Sequence, residues 1–485
     1  MHNSKLIRLL KTLEPGECKD FPKFLQSPFF NSNKQCLTLC NYLIKYYPDF
    51  DSPKLGKELV FQKIFPGKPY NYNTLSNLMS SLATLTEEYL LNLQFQKEGF
   101  EKKKMLIKAL GERKGSYELF VKNTEALINE VENREVKDMD YYLELRSLNH
   151  DLYYHPITNR QASGIGGIKQ AMDNLDLFYA QAKLLYGLEL KARAYLFGEN
   201  PSVILENELV VESEDILAAK SPVCSIYLKI LKLYDFVYDK NIFDEAKNLL
   251  SEHIKTIGKV ERAVIILHLL NYCIRLINKG KSKFFSEAFE LYKMGLQHGA
   301  FIEQNRLSEV LFSNIVSVGT RCGEFAWVKN FIHEYKHFLE EEERESATLL
   351  SLAFLAFNEG KYSQTIDLLL NHSFEKTLNT IKSKTILLRT YFELFVRDDS
   401  YYELLLAQTL SFEKHIRRNK DISAEKADGF LNFIKLTRRV ANGLLENHIP
   451  EELIGAIESH VALPYKEWLL QKAGKLEGQE ERVFH

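Results

Sequence analysis

An all-α protein is expected, on three observations. The 485-residue chain holds only 23 Gly and 12 Pro, below the average shares of about 7% and 5%, so it has few places to turn. Apolar residues recur at helical spacing over most of its length. No run of alternating β-branched residues marks a strand; Ser202 to Val211 comes closest and is short. A large sandwich, barrel or propeller would need many tight turns. With 45% hydrophobic and 26% charged residues, the chain can bury a sizeable core and is not predominantly disordered.

Seven of the twelve prolines (Pro15, Pro22, Pro28, Pro48, Pro53, Pro66 and Pro69) fall in the first hundred residues. Helices there should be short and separated by proline turns. They are expected over Leu6 to Leu13, Cys18 to Gln26, Lys34 to Tyr47 and Lys54 to Phe65, with a longer one from Asn73 to Gln96. Residues 1–98 therefore read as a small helical bundle. Lys97 to Lys114 carries seven Lys or Arg against three Glu and should continue as a solvated helix. From Tyr117 the helical period resumes and runs to Ala473, interrupted mainly between Asp151 and Ile168. A helical array over 99–473, with a connection around 151–168, and a frayed polar tail over 474–485 complete the expected organisation.

The second half repeats itself. Asn241-Ile-Phe-Asp-Glu-Ala246, Lys283-Phe-Phe-Ser-Glu-Ala288, Gly323-Glu-Phe-Ala-Trp-Val328, Gly360-Lys-Tyr-Ser-Gln-Thr365 and Ser400-Tyr-Tyr-Glu-Leu-Leu405 share one layout. Each has a turn, an aromatic, and a small or apolar residue three positions later. The aromatics Phe243, Phe285, Phe325, Tyr362 and Tyr402 lie 42, 40, 37 and 40 residues apart. An apolar helix precedes and follows each. With Leu352, Ala353, Ala356, Gly360, Tyr362 and Leu369 in one unit, and Ile315, Gly323, Phe325, Val328 and Ile332 in the unit before it, the chain resembles tetratricopeptide-type repeats over roughly 178–446. It departs from that family in spacing, since the family repeats every 34 residues, and in lacking a regular closing Pro. The resemblance implies a right-handed superhelix of helical hairpins, whose stacking creates a core and an extended concave wall. On that reading the wall-facing residues include Asp235, Tyr238, Ser317, Arg321, Phe354, Asn358 and Arg397. An aromatic with an Arg nearby can anchor a peptide through apolar burial and a charge-assisted hydrogen bond.

Other chemistries find little support. A formal charge of −2 is not that of a DNA-coating protein. The six cysteines are scattered and read as reduced core residues of a cytosolic protein. The N-terminal residues hold no apolar stretch long enough for a signal peptide. Ala263 to Ile274 is far short of the roughly 20 residues that span a bilayer. Gly164-Ile-Gly-Gly167 lacks the preceding strand of a dinucleotide fingerprint and the Gly-Lys-Ser/Thr of a P-loop, so it reads as a connection. His150 with His155, and Cys36 with Cys40, read as packing residues, and no metal or cofactor is expected. No Gly-x-Ser-x-Gly, His-Glu-x-x-His or kinase set occurs. Glu340 to Glu343 reads as a solvated run between hairpins.

The expected function is that of a non-enzymatic cytoplasmic adaptor or scaffold for a protein or peptide partner. The alternative is a nucleic-acid-associated regulator. It would use the helix pair Lys54 to Phe65 and Asn73 to Gln96, or the basic stretches around Lys102-Lys-Lys104 and Arg417-Arg418. Against it, no Lys or Arg occurs from Pro69 to Gln96, and both basic stretches are interleaved with acids. An enzyme with its site enclosed by the superhelix is the weaker alternative.

Overall fold

The computed structural model describes residues 3–158, 166–197, 220–235, 238–419, 421–460 and 463–474. The strand candidate Ser202 to Val211, most of the polar tail, and Gly164 with Ile165 lie outside them. Among the described residues there are 22 α-helices and no strand, and no helix is long and apolar enough to cross a membrane. The chain divides into two compact units, one of Met1–Asn133 with Glu144–Ala171, the other of Arg134–Leu143 with Met172–His485.

The first unit begins with α1 (Lys5–Lys11), α2 (Pro15–Gln26), α3 (Lys34–Leu43), α4 (Lys57–Ile64) and α5 (Tyr72–Lys97). Their starts follow from local chemistry. The side chains of Ser4, Asn33 and Asn71 cap α1, α3 and α5, and Glu14 with Glu17 forms a capping box on α2, each satisfying backbone N–H groups that a helix start leaves open. Two expected helices are shorter than their apolar pattern. The one over Lys34 to Tyr47 tightens into a 3₁₀ turn after Leu43, and Gly56 divides the one over Lys54 to Phe65. Cys36, Cys40, Phe21, Leu39 and Leu82 are fully buried in the common core. The cysteine pair is packing. Next come α6 (Gly99–Gly111), α7 (Tyr117–Glu132) and α8 (Met139–Tyr154), whose first turn, through Leu143, belongs to the second unit. His155 stacks on Phe120 at 4.4 Å, and its Nε2 lies 3.1 Å from the Gly111 carbonyl. Gly166 and Gly167 open the long helix α9 (Gly166–Phe197), which belongs to the second unit from Met172 on.

In the second unit the helices pack in chain order. They are α10 (Pro222–Asp235), α11 (Lys240–His253), α12 (Lys259–Ile277), α13 (Phe284–Gln297), α14 (Glu309–Arg321), α15 (Phe325–Tyr335), α16 (Glu341–Asn358), α17 (Tyr362–Leu370), α18 (Thr377–Arg397), α19 (Tyr402–Arg418), α20 (Ala424–Leu445), α21 (Glu451–Ser459) and α22 (Lys466–Lys472). Neighbours in sequence touch, and so do α10 with α12, α14 with α16, and α16 with α18. These sequential contacts are consistent with a helical repeat.

Three turns between paired helices are built alike. After α12, α14 and α16, a glycine at φ 78°, 78° and 74° (Gly280, Gly323, Gly360) reverses the chain. The following N–H reaches back to a carbonyl of the last helical turn: Lys281 to Leu276 at 3.0 Å, Glu324 to Gly319 at 3.0 Å, Lys361 to Ala356 at 2.9 Å. This 6→1 bond defines a Schellman stop, and the left-handed residue in it favours glycine. The residue three after each repeat aromatic (Ala246, Ala288, Val328, Thr365, Leu405) is fully buried. Gly319 has the same role across the pair, because a Cβ there would meet Val328 Cγ2 at 2.6 Å.

The acidic run Glu340 to Glu343 does more than face solvent. Glu340 caps α16 and the other three occupy its first turn, where the helix dipole favours negative charge. Arg306 pairs with Glu340 at 2.7 Å, and Lys376 pairs with Glu343.

Glu261, on the first turn of α12, is buried. Its Oε1 accepts the Met139 N–H at 3.3 Å, and a Cβ on Gly258 would meet its Oε2 at 2.2 Å. Burial raises its pKa above the ordinary carboxylate value of 4.5, outweighing the two backbone N–H groups that lower it. Just above pH 4.5 the folded state therefore binds this proton more tightly than the unfolded chain, and stability falls as pH rises through that window. Glu261→Gln is expected to remove the fall and to raise stability at pH 7. Urea midpoints at pH 5 and pH 7 check this; a difference from wild type that does not grow with pH would contradict it.

Candidate functional site

Among the pairs α10/α11 to α18/α19, three first helices carry an arginine in their last turn (Arg275, Arg321 and Arg397), and α16 ends in Asn358. A cation there is favoured by the partial negative charge of the helix C-terminus. Arg275, in the last turn of α12, donates to the Leu233 carbonyl at 2.7 Å and lies over Tyr234 at 4.9 Å and Tyr272 at 5.3 Å. Arg321, the last residue of α14, lies over Phe285 at 5.1 Å. Arg397, the last residue of α18, lies over Tyr362 at 4.7 Å. The last two contacts join neighbouring pairs in the same way: the aromatic at the start of a second helix, Phe285 or Tyr362, is covered by the arginine that closes the next first helix. Each such contact is worth about 0.5 to 2 kcal/mol, more when desolvated.

The seven residues proposed from sequence are placed as follows. Asp235 closes α10, and its side chain lies outside the described set. Tyr238 is exposed. Its hydroxyl accepts from Lys283 Nζ at 2.8 Å and its ring lies 3.3 Å beneath Lys281 Nζ. The Lys283 bond, aided by the charges of Lys283, Lys281 and Lys240, holds the phenol below its ordinary pKa. Ser317 and Arg321 are half-buried one turn apart on α14. Phe354 packs half-buried on the apolar core. Asn358 Nδ2 donates to the Phe354 carbonyl at 2.7 Å. Arg397 is exposed apart from its contact with Tyr362.

Two buried atoms of this set, Asn358 Oδ1 and Arg321 Nε, lack a hydrogen-bond partner among the described residues. Burial lowers the Arg321 pKa to about 10, against the opposing pull of Tyr465 and Glu467. An unpaired donor and an unpaired acceptor thus sit at the ends of packed first helices.

A second constellation was not anticipated from the sequence. On α18, Arg389 is fully buried, with its guanidinium 4.4 Å from the Phe357 ring, 4.9 Å from Tyr465 and 5.2 Å from Trp468. One turn later, Glu393 receives two bonds, from Trp468 Nε1 at 2.9 Å to Oε1 and from Lys472 Nζ at 2.8 Å to Oε2. Trp468 also meets Phe392 at 5.1 Å and Phe433 at 6.0 Å. Leu463, Trp468, Leu469 and Ala473 are buried here. The segment containing α22 is thereby seated across α18 and α20. One clue lay in composition, since Trp468 is one of only two tryptophans. What it touches could not be read from spacing.

The first unit has a cleft of about 310 Å³ lined by Ser4, Lys5, Lys57, Tyr72, Ser76 and Met79 among others. Its lysines are engaged, Lys5 with Glu87 at 2.7 Å and Lys57 over the Tyr72 ring at 4.7 Å. The basic stretches of the regulator alternative are also partly neutralised. Glu413 binds both Arg417 and Arg438, and Glu130 binds Lys103. Asn71 caps α5 by accepting the Thr74 N–H at 2.9 Å. Compared with family models, with curated proteins and with solved structures, the chain matches none of them.

Proposed function

We propose that the second unit is a right-handed superhelix of tetratricopeptide-like hairpins acting as a non-enzymatic cytoplasmic adaptor, holding a protein or peptide partner on the wall formed by its first helices. The observation that carries this reading is the pair of buried, unpaired polar atoms, Arg321 Nε and Asn358 Oδ1. One is a donor and the other an acceptor, the complement of a peptide C=O and N–H. Leaving such a group buried and unpaired costs about 1 to 3 kcal/mol. A peptide that bonds both recovers that cost on binding. The repeated aromatic–arginine contacts support the reading, because they tie three of the four successive pairs to the next and so favour a rigid, preorganised wall.

The test is affinity capture with the wild type and with Arg321→Glu plus Asn358→Ala, both checked for helical content and melting temperature. Partner recovery is expected to fall at least tenfold in the folded variant. Unchanged recovery would count against the wall.

A further inference from the structure

The seat on α18 and α20 points to what the partner carries. We infer that the chain's own segment Leu463–Ala473 is a tethered competitor for the partner, and that the partner docks there through a helix bearing an indole and, four residues later, an ammonium group. This rests on the adaptor reading and names the chemistry and the control of the same wall.

Four features lead to it. First, α22 has seven residues, and an isolated helix that short is unstable in water; its helicity depends on the seat. Second, the polar contacts are specific. Trp468 and Lys472 lie on one helix face, and between them they fill both oxygens of the buried Glu393 carboxylate. A buried charge of this kind contributes little net stability against an apolar replacement, so its value lies in selecting what docks. Third, the tethered segment docks under strain. Tyr465, which caps α22, sits at φ 54°, ψ 35°, a left-handed conformation that costs a non-glycine residue roughly 1 to 2 kcal/mol. A partner helix with the same contacts escapes that cost. Fourth, the segment adjoins the proposed wall: Tyr465 and Glu467 act electrostatically on Arg321, and Arg389 bridges the Phe357 ring of α16 and the segment. Releasing the segment uncovers Arg389 and Glu393, which water can solvate, and vacates the indole site.

The probe is a fluorescent synthetic peptide of residues 463–474, titrated into the full-length wild type and into full-length Trp468→Ala plus Lys472→Ala. A tether holds its segment at an effective concentration on the order of millimolar, so at about 10 μM free peptide the wild type should bind roughly a hundredfold less than the vacated variant. Adding Glu393→Gln to that variant should weaken peptide binding at least tenfold, as should replacing the peptide's tryptophan by alanine. No peptide binding to the folded, vacated variant overturns the inference. If the variant does not fold, hydrogen exchange of the wild type decides. Amides of Lys466–Lys472 should exchange at least a hundredfold faster than those around Phe433, and equal protection would make the segment a permanent cap and overturn the inference. Peptide exchange with unchanged partner capture by Arg321→Glu plus Asn358→Ala would remove the adaptor reading alone. Lost capture with no peptide exchange would remove this inference alone.

Discussion

Phe243→Ala is expected to destabilise the second unit by about 3 to 5 kcal/mol, the range for truncating a buried phenylalanine. The ring is fully buried, stacks on Tyr272 at 5.4 Å and meets Phe284 edge-on at 5.8 Å. Both neighbours are buried, so the cavity left behind has no flexible side chain to fill it. The other repeat aromatics should lose less on truncation. Phe285 and Tyr362 retain some exposure, while Phe325 and Tyr402 are half-buried. Urea midpoints for the five alanine variants should therefore rank Phe243 first, Phe285 and Tyr362 next, and Phe325 and Tyr402 last. Equal losses at all five would contradict this.

Acid should weaken the same unit through His268. The imidazole is buried on α12, with Nδ1 2.8 Å from the Tyr234 hydroxyl, and burial lowers its pKa from 6.5 to about 4. Between these values the unfolded chain takes up a proton that the folded state refuses, so stability falls as pH drops. At about 1.4 kcal/mol per pH unit, the loss is complete near pH 4 and amounts to about 3 kcal/mol. His268→Gln keeps a polar partner for Tyr234 and cannot titrate. Its urea midpoint should fall less than that of the wild type between pH 7 and pH 4.5; parallel losses in the two proteins would contradict the assignment. Glu261 works in the opposite sense, since its raised pKa favours the folded state as pH drops, so Glu261→Gln and His268→Gln should bend the pH profile in opposite directions.

Much of the architecture was legible because it is written locally. Glycine at 280, 323 and 360 and an aromatic two to five residues later state where each pair turns, and the structure builds the three turns alike. The residue three after the aromatic proved the steadier mark of packing: all five are fully buried, whereas the aromatics range from buried to half-exposed. A small or apolar residue there has one place to go, but an aromatic at a pair boundary packs according to what the next first helix presents. The candidate site was legible only in part. Arg321, Asn358 and Arg397 could be placed at helix ends from the repeat, yet not their neighbours. Tyr238 was offered as a partner contact and is already engaged by Lys281 and Lys283, which stand more than forty residues away in the chain.

By itself, the sequence determined that this protein is helical, where its pairs turn, and which residues face inward, since these follow from backbone preferences and from apolar period over a few residues. Only the tertiary structure decided which charges are buried and what meets them. Arg389 and Glu393 lie one turn apart on α18, and their companions Tyr465, Trp468 and Lys472 arrive from more than seventy residues downstream. The free energy of a buried charge depends on what surrounds it in space, and no local pattern encodes that.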